Sequence, residues 1–187
     1  MQIARVVASR STCDLRHAGT VLVQDNRIVA TGYNDSPPGI KSCKDVGHLI
    51  NGQSIQGEVK EGFLTDEYGQ LVKRCCERII HSEANAICQA ARHGVSLQGA
   101  HAFVTLSPCH DCFKLLMSAG ISRVVFDVSD GNSSIFNLAK QAGIELKRLE
   151  ASIRPDKMYQ DNTRKMSFSE NCQDKQFSRY SVIQNKT

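Results

Sequence analysis

The stretch Ala102-Phe103-Val104-Thr105-Leu106-Ser107-Pro108-Cys109-His110-Asp111-Cys112 decides how the chain folds. Its first five residues are apolar or β-branched and read as a buried strand. Pro108 then sits near a helix start, where proline is tolerated, and the helix runs to about Ala119, stopped by Gly120. Upstream, Ala84, Ile87, Cys88 and Ala91 form a helical stripe from Ser82 to His93, with Gly94 as a suitable terminating residue. Downstream, Arg123 to Val128 reads as a strand, Ser134 to Gln141 as a helix and Ile144 to Leu149 as a last strand. Further upstream, Gly19 to Val23 and Arg27 to Tyr33 flank the polar Gln24-Asp25-Asn26 and read as a β-hairpin. These five strands and their interleaved helices predict an α/β fold, a three-layer α-β-α sandwich with a mixed five-stranded sheet.

The ends and the middle are less regular. Ile3, Val6 and Val7 have helix-compatible spacing and predict a first helix over residues 1–12, ending near Ser11-Thr12. Asn34 to Gly39 is a loop whose prolines and glycine stop regular structure. Residues 41–76 read as an insertion with little core of its own. The predicted domain is therefore 1–150, followed by a polar tail over 151–187. Met158, Tyr159, Phe168, Phe177, Tyr180 and Ile183 in that tail predict partial order, and Cys172 reads as a free thiol.

The chemistry concentrates in His81-Ser82-Glu83 and Pro108-Cys109-His110-Asp111-Cys112. Cys109 and Cys112 in a first helical turn face the same way, and the helix N-terminus favours their thiolates. One imidazole and two thiolates give three of the four ligands of a tetrahedral zinc, leaving the fourth position to water, which is the arrangement of a catalytic site. Glu83 is then placed to carry protons. Together the segments match the His-x-Glu…Pro-Cys-x-x-Cys pattern of zinc nucleobase deaminases. A thioredoxin-like redox pair is the alternative for the two cysteines taken alone.

A second set of soft ligands lies around the insertion. Cys43 and His48 near its start and Cys75 and Cys76 at its end are enough for a closed, structural zinc that staples a long loop. Buried free thiols with a surface histidine are the alternative.

Composition narrows the class. At 187 residues and 20.6 kDa the chain can bury one good core. No apolar run of about 18 residues is present, so no membrane span is expected, and the N-terminus lacks the pattern of a signal peptide. Eight cysteines grouped near histidines fit metal ligation in a reducing compartment, which predicts a cytoplasmic protein. The net charge is +4, of which residues 151–187 carry +3 and residues 1–150 only +1. A nearly neutral domain fits a mononucleotide better than a nucleic-acid polymer.

From about residue 5 to 149 the chain resembles the deoxycytidylate (dCMP) deaminases of phages and bacteria, within the cytidine deaminase-like superfamily. The residues that carry the likeness are Ser9-Arg10-Ser11-Thr12-Cys13, Gly32-Tyr33-Asn34, His81 to Ile87, Gly94-Val95-Ser96 and Thr105 to Cys109. The resemblance implies zinc on His81, Cys109 and Cys112, with Glu83 as proton shuttle. It implies hydrolysis of dCMP to dUMP and ammonia, supplying dUMP for dTMP synthesis. Asn34 looks like the family's sugar-contacting asparagine, although a turn residue is its plain alternative. Ser107 belongs to the matched segment beside the substrate, while Arg10, Lys41 and the Ser36 to Gly39 amides are phosphate candidates by charge and flexibility.

The same resemblance implies a homohexamer activated by dCTP with Mg and inhibited by dTTP, and Cys/His sets near the insertion in bacterial relatives favour the second zinc. Asp35, however, stands where the family has glycine, and a carboxylate there repels a triphosphate. Two other readings share parts of the pattern. A tRNA adenosine deaminase has the same zinc motifs but needs a basic surface. A zinc-stabilised, non-catalytic binding protein has no need of Glu83.

Overall fold

The computed structural model describes residues 1–50, 52–55, 63–65, 71–73, 76–129 and 134–149. The elements in order are α1 (Gln2–Ala8), β1 (Gly19–Gln24), β2 (Arg27–Tyr33), α2 (Cys43–Val46), β3 (His48–Ile50), β4 (Gln53–Ile55), β5 (Phe63–Thr65) and β6 (Leu71–Lys73). They continue with α3 (Ser82–Arg92), β7 (His101–Leu106), α4 (His110–Ser118), β8 (Arg123–Val128), α5 (Ser134–Ala142) and β9 (Glu145–Arg148). No described helix is long and apolar enough to cross a membrane.

Five strands form one mixed sheet in the order β2-β1-β7-β8-β9. The hairpin strands β1 and β2 are antiparallel, β1 is antiparallel to β7, and β7, β8 and β9 are parallel. The hairpin turns at Asp25 and Asn26, both with positive φ (50° and 59°). That is the backbone a tight two-residue turn requires, and Asp and Asn tolerate it best after glycine.

Strand alternation sorts the core into two faces. On one face Leu22, Ala102, Val104 and Val124 pack with Ala86 and Ala90 of α3, Phe113 and Leu116 of α4, and Ile135 and Ala139 of α5. Phe126, two residues beyond Val124, meets Phe136 of α5 edge to face at a centroid separation of 6.2 Å. On the other face lies α1. It is held by Ala4 and Ala8 and by the guanidinium of Arg5, which donates from Nε (3.0 Å) and Nη2 (2.6 Å) to Asp127 Oδ2. The three-layer expectation holds.

Two glycines on the hairpin bring helices onto opposite faces. A Cβ on Gly19 would lie 2.3 Å from Ala4 O of α1, and a Cβ on Gly32 would lie 2.2 Å from Ser82 O and 2.4 Å from Ala86 N of α3. Only a residue without a side chain lets backbone approach backbone this closely. The position of the α3 N-terminus, and with it His81, therefore depends on Gly32.

Three expectations need adjusting. The first helix ends at Ala8, short of Ser11-Thr12. Ser11 is drawn out of helical geometry because its hydroxyl donates to Asn34 O (2.9 Å) and accepts the Cys13 N–H (3.3 Å). The last strand is Glu145–Arg148, shorter at both ends than Ile144 to Leu149. The insertion is also more regular than its sequence implies, with α2 and two small antiparallel pairs, β3-β4 and β5-β6. The expectations for residues 151–187 lie outside the described residues.

Candidate active site

Two helix N-termini meet at the ligand cluster. His81 is the residue preceding α3 and Cys109 the residue preceding α4, both in extended backbone. His81 Nδ1 lies 3.6 Å from Cys109 Sγ and 3.5 Å from Cys112 Sγ. Zinc bonds of about 2.0–2.1 Å to nitrogen and 2.3 Å to sulfur at tetrahedral angles put ligand atoms about 3.5 Å apart, so this donor set fits the ion.

The local fold prepares these groups for a cation. Cys109 Sγ accepts the Cys112 backbone N–H at 3.4 Å. Its thiol is held far below the ordinary value, at about 4, first by the Cys112 thiol donating to it and further by His81 and that N–H, against burial. Cys112 is pushed up, because its proton is shared with Cys109 and because it is buried. One thiolate is thus already favoured, and a metal replaces the proton on the other.

Glu83 lies in the first turn of α3 and is 5% exposed. Burial pushes its carboxyl above the ordinary 4.5, opposed by its own backbone N–H, by His81 and by the Ser82 hydroxyl. A carboxyl displaced upward in this way holds a proton more readily than an exposed one, which suits it to taking up and passing on protons.

The remaining predicted residues fall into place unevenly. Asn34 is buried and gripped at both ends of its amide: Oδ1 accepts the Ser82 N–H at 2.9 Å, and Nδ2 donates to Arg16 O at 2.9 Å. Ser107 is buried and its N–H donates to Val128 O at 2.8 Å. Arg10, just past α1, and Lys41, just before α2, are exposed.

A second cluster joins Cys13, Cys43, His48 and Cys76, all buried, with ligand atoms within 4.8 Å of one another. Cys13 Sγ is 3.6 Å from His48 Nδ1, and Cys43 Sγ is 3.6 Å from Cys76 Sγ. His48 Nε2 faces Asp14 Oδ1 at 2.9 Å, the carboxylate support that metal-binding histidines ordinarily have. Burial raises the thiols of Cys13, to about 11, and of Cys43. Cys13 completes this set, a role the sequence reading did not give it, whereas Cys75 lies outside the described residues. The one sequence signal for Cys13 was its place in Ser9-Arg10-Ser11-Thr12-Cys13. Asp14 and Thr20 belong to no motif, and Ser82, though inside His81-Ser82-Glu83, was given no role of its own.

The fold and the first cluster define a zinc-binding hydrolase centre of the nucleobase deaminase class. A sequence model of the cytidine and deoxycytidylate deaminase zinc-binding region matches residues 1–128, and the chain belongs to that family. It is 36% identical over 165 residues to the deoxycytidylate deaminase of Enterobacteria phage T2, covering 78% of this chain and 88% of that protein. It is 33% identical over 172 residues to ComE operon protein 2 of Bacillus subtilis, covering 90% and 77%. In fold it resembles the dCMP deaminase of cyanophage S-TIM5 solved with dCMP and dUMP, at a TM-score of 0.59 and 24% identity over 79% of this chain and 92% of that one.

Proposed function

We propose that the protein hydrolyses dCMP to dUMP and ammonia, supplying dUMP for dTMP synthesis. The observation that carries the reading is a buried Glu83, its carboxyl raised by burial, two residues from a His81, Cys109 and Cys112 set that fits an open zinc site. Similarity to deoxycytidylate deaminases over most of the chain supports the nucleotide.

Zinc held by these three residues supplies Lewis acidity, which brings the pKa of a water molecule toward neutrality. Glu83 takes the proton of that water and gives it to ring nitrogen 3 of the cytosine, which makes carbon 4 electrophilic. After the water's oxygen has added to carbon 4, Glu83 takes the remaining proton from that oxygen and passes it to the exocyclic amino group. The carbon–nitrogen bond breaks, and dCMP plus water has become dUMP plus ammonia. Asn34 keeps a second amide proton for the sugar beyond the one it gives Arg16. Ser107 borders the base, and Arg10 and Lys41 are our candidates for the phosphate.

We further infer a structural zinc on Cys13, Cys43, His48 and Cys76, where four buried protein ligands leave no position for water. The domain is 1–150, with the tail over 151–187 as an appendage. The family resemblance supports a homo-oligomer, with six copies as the expected number. It also supports dCTP with Mg as effector, against which stands Asp35, a carboxylate on the loop that follows β2. Cytoplasmic location is supported by free thiols at every described cysteine.

The test is ammonia release from dCMP, CMP, deoxycytidine and dCTP offered separately, with dCTP also added as effector. Rapid turnover of dCMP alone is expected, and activation by added dCTP would show that Asp35 has not abolished that regulation. Zinc-loaded protein that leaves dCMP unchanged would refute the reading.

A further inference from the structure

We propose that Thr20 and Ser82 are positioning residues whose hydroxyls form a buried chain that fixes the Glu83 carboxylate for its proton transfers. The inference rests on the reading of Glu83 as the proton carrier of the deaminase. Thr20 Oγ1 and Ser82 Oγ are 2.9 Å apart, and Ser82 Oγ donates to Glu83 Oε2 at 3.0 Å. Thr20 and Ser82 are both 0% exposed.

The fold brings the pair together in a specific way. Thr20 is paired with Gly32 across the β1-β2 ladder, so both point to the face that α3 covers. The missing side chain of Gly32 lets the first turn of α3 settle against the sheet, within reach of the Thr20 hydroxyl. Ser82 is also anchored through its backbone N–H to Asn34 Oδ1. With its main chain held by Asn34 and its hydroxyl by Thr20, Ser82 presents one donor to Glu83 in one direction.

A purely packing role explains the residues poorly. Valine and alanine fill nearly the same space, whereas hydroxyls removed from water are unfavourable unless each is paired. Here the pairing is not closed on itself but ends on an ionisable carboxyl. Since Ser82 must spend its single proton on Glu83, Thr20 donates to Ser82, and the chain has one direction whenever Glu83 is charged. A carboxylate that must serve first a ring nitrogen and then an amino group gains from being held, because misplacement by a fraction of an ångström weakens both transfers.

The test uses full-length S82A, T20V, T20S and S82A/T20V proteins, with zinc content measured on each. S82A is expected to lower kcat about 10- to 100-fold, the worth of one hydrogen bond to a charged group, with KM and zinc content unchanged. T20V should lower kcat less, T20S should recover most of that loss, and the double variant should be no slower than S82A, since Thr20 acts only through Ser82. Crystal structures of wild type and T20V give a readout independent of turnover, with the Glu83 carboxylate displaced or spread in the variant.

A kcat for S82A within twofold of wild type overturns the proposal, as does additive loss in the double variant. If S82A does not fold, the T20V and T20S pair decides, and equal kcat values overturn it. If wild type itself leaves dCMP unchanged, the deaminase reading fails separately. The two crystal structures then decide the positioning claim, and an unmoved carboxylate overturns it.

Discussion

The side-chain oxygen of Asn34 accepts the backbone N–H of Ser82 at 2.9 Å, across 48 residues of sequence. The residue preceding α3 is His81, and it caps none of the free N–H groups of the helix with its own side chain. Its ring is turned to Cys109 and Cys112, so the cap comes from the loop after β2. The tasks of facing the two thiols and of capping the helix are here divided between His81 and Asn34.

Asn34→Ala leaves the Ser82 N–H and the Arg16 carbonyl without this partner in a buried position. A loss of about 1–3 kcal/mol in stability is expected from urea denaturation, together with a fall in kcat. Unchanged stability would show that water replaces the amide.

Cys13→Ser and Cys75→Ser separate the two ligand sets for the structural zinc. Metal analysis of the purified proteins should find Cys13→Ser, like Cys43→Ser, short of one zinc per chain and less stable, and Cys75→Ser with full content. Asp14→Asn should weaken the same zinc about 10- to 100-fold, because it loosens His48. The opposite result for Cys13 and Cys75 would restore the pair of adjacent cysteines as ligands.

Gly32→Ala puts a methyl where Ser82 O and Ala86 N already stand at 2.2 and 2.4 Å from its ideal position. Backbone has to move, so α3 shifts from the sheet and carries His81 and Glu83 with it. Thermal unfolding should show a loss of about 1–3 kcal/mol, and kcat should fall even in protein that remains folded.

Burial pushes the Glu83 carboxyl above 4.5, so its contribution to stability is full below that pH and is lost as pH rises through the raised native value. Glu83→Gln removes this loss. Urea midpoints of zinc-stripped proteins should show the variant gaining on wild type as pH is raised from 4.5 upward, by an amount set by the size of the shift. Zinc is stripped because a cation beside the carboxylate lowers its pKa. A constant difference across that range would mean that the carboxyl is not shifted.

Much of the fold was legible because it is written locally. The apolar run Ala102 to Leu106, the stripe of α3 and the turn at Asp25-Asn26 each specify one element without help from elsewhere. The grouping of His81, Cys109 and Cys112 was legible for the same reason, each motif being contained within five residues. What was not legible depends on contacts between distant residues. The end of α1 is set by Ser11 reaching Asn34, 23 residues away. Cys13 is brought to His48 across 35 residues, with no spacing rule to reveal it, whereas the adjacent Cys75 and Cys76 looked like a ligand pair. Thr20 and Ser82 meet across 62 residues, and neither hydroxyl belongs to a motif that names its partner.

The central claim is that Glu83 moves the protons of a zinc-dependent deamination, and the most direct test is ammonia release from dCMP by wild type and Glu83→Gln, each with zinc content measured on the same sample. The account predicts equal zinc in the two proteins, rapid turnover by wild type and a loss of at least about 100-fold in kcat for the variant. A variant with equal zinc and undiminished turnover would contradict it.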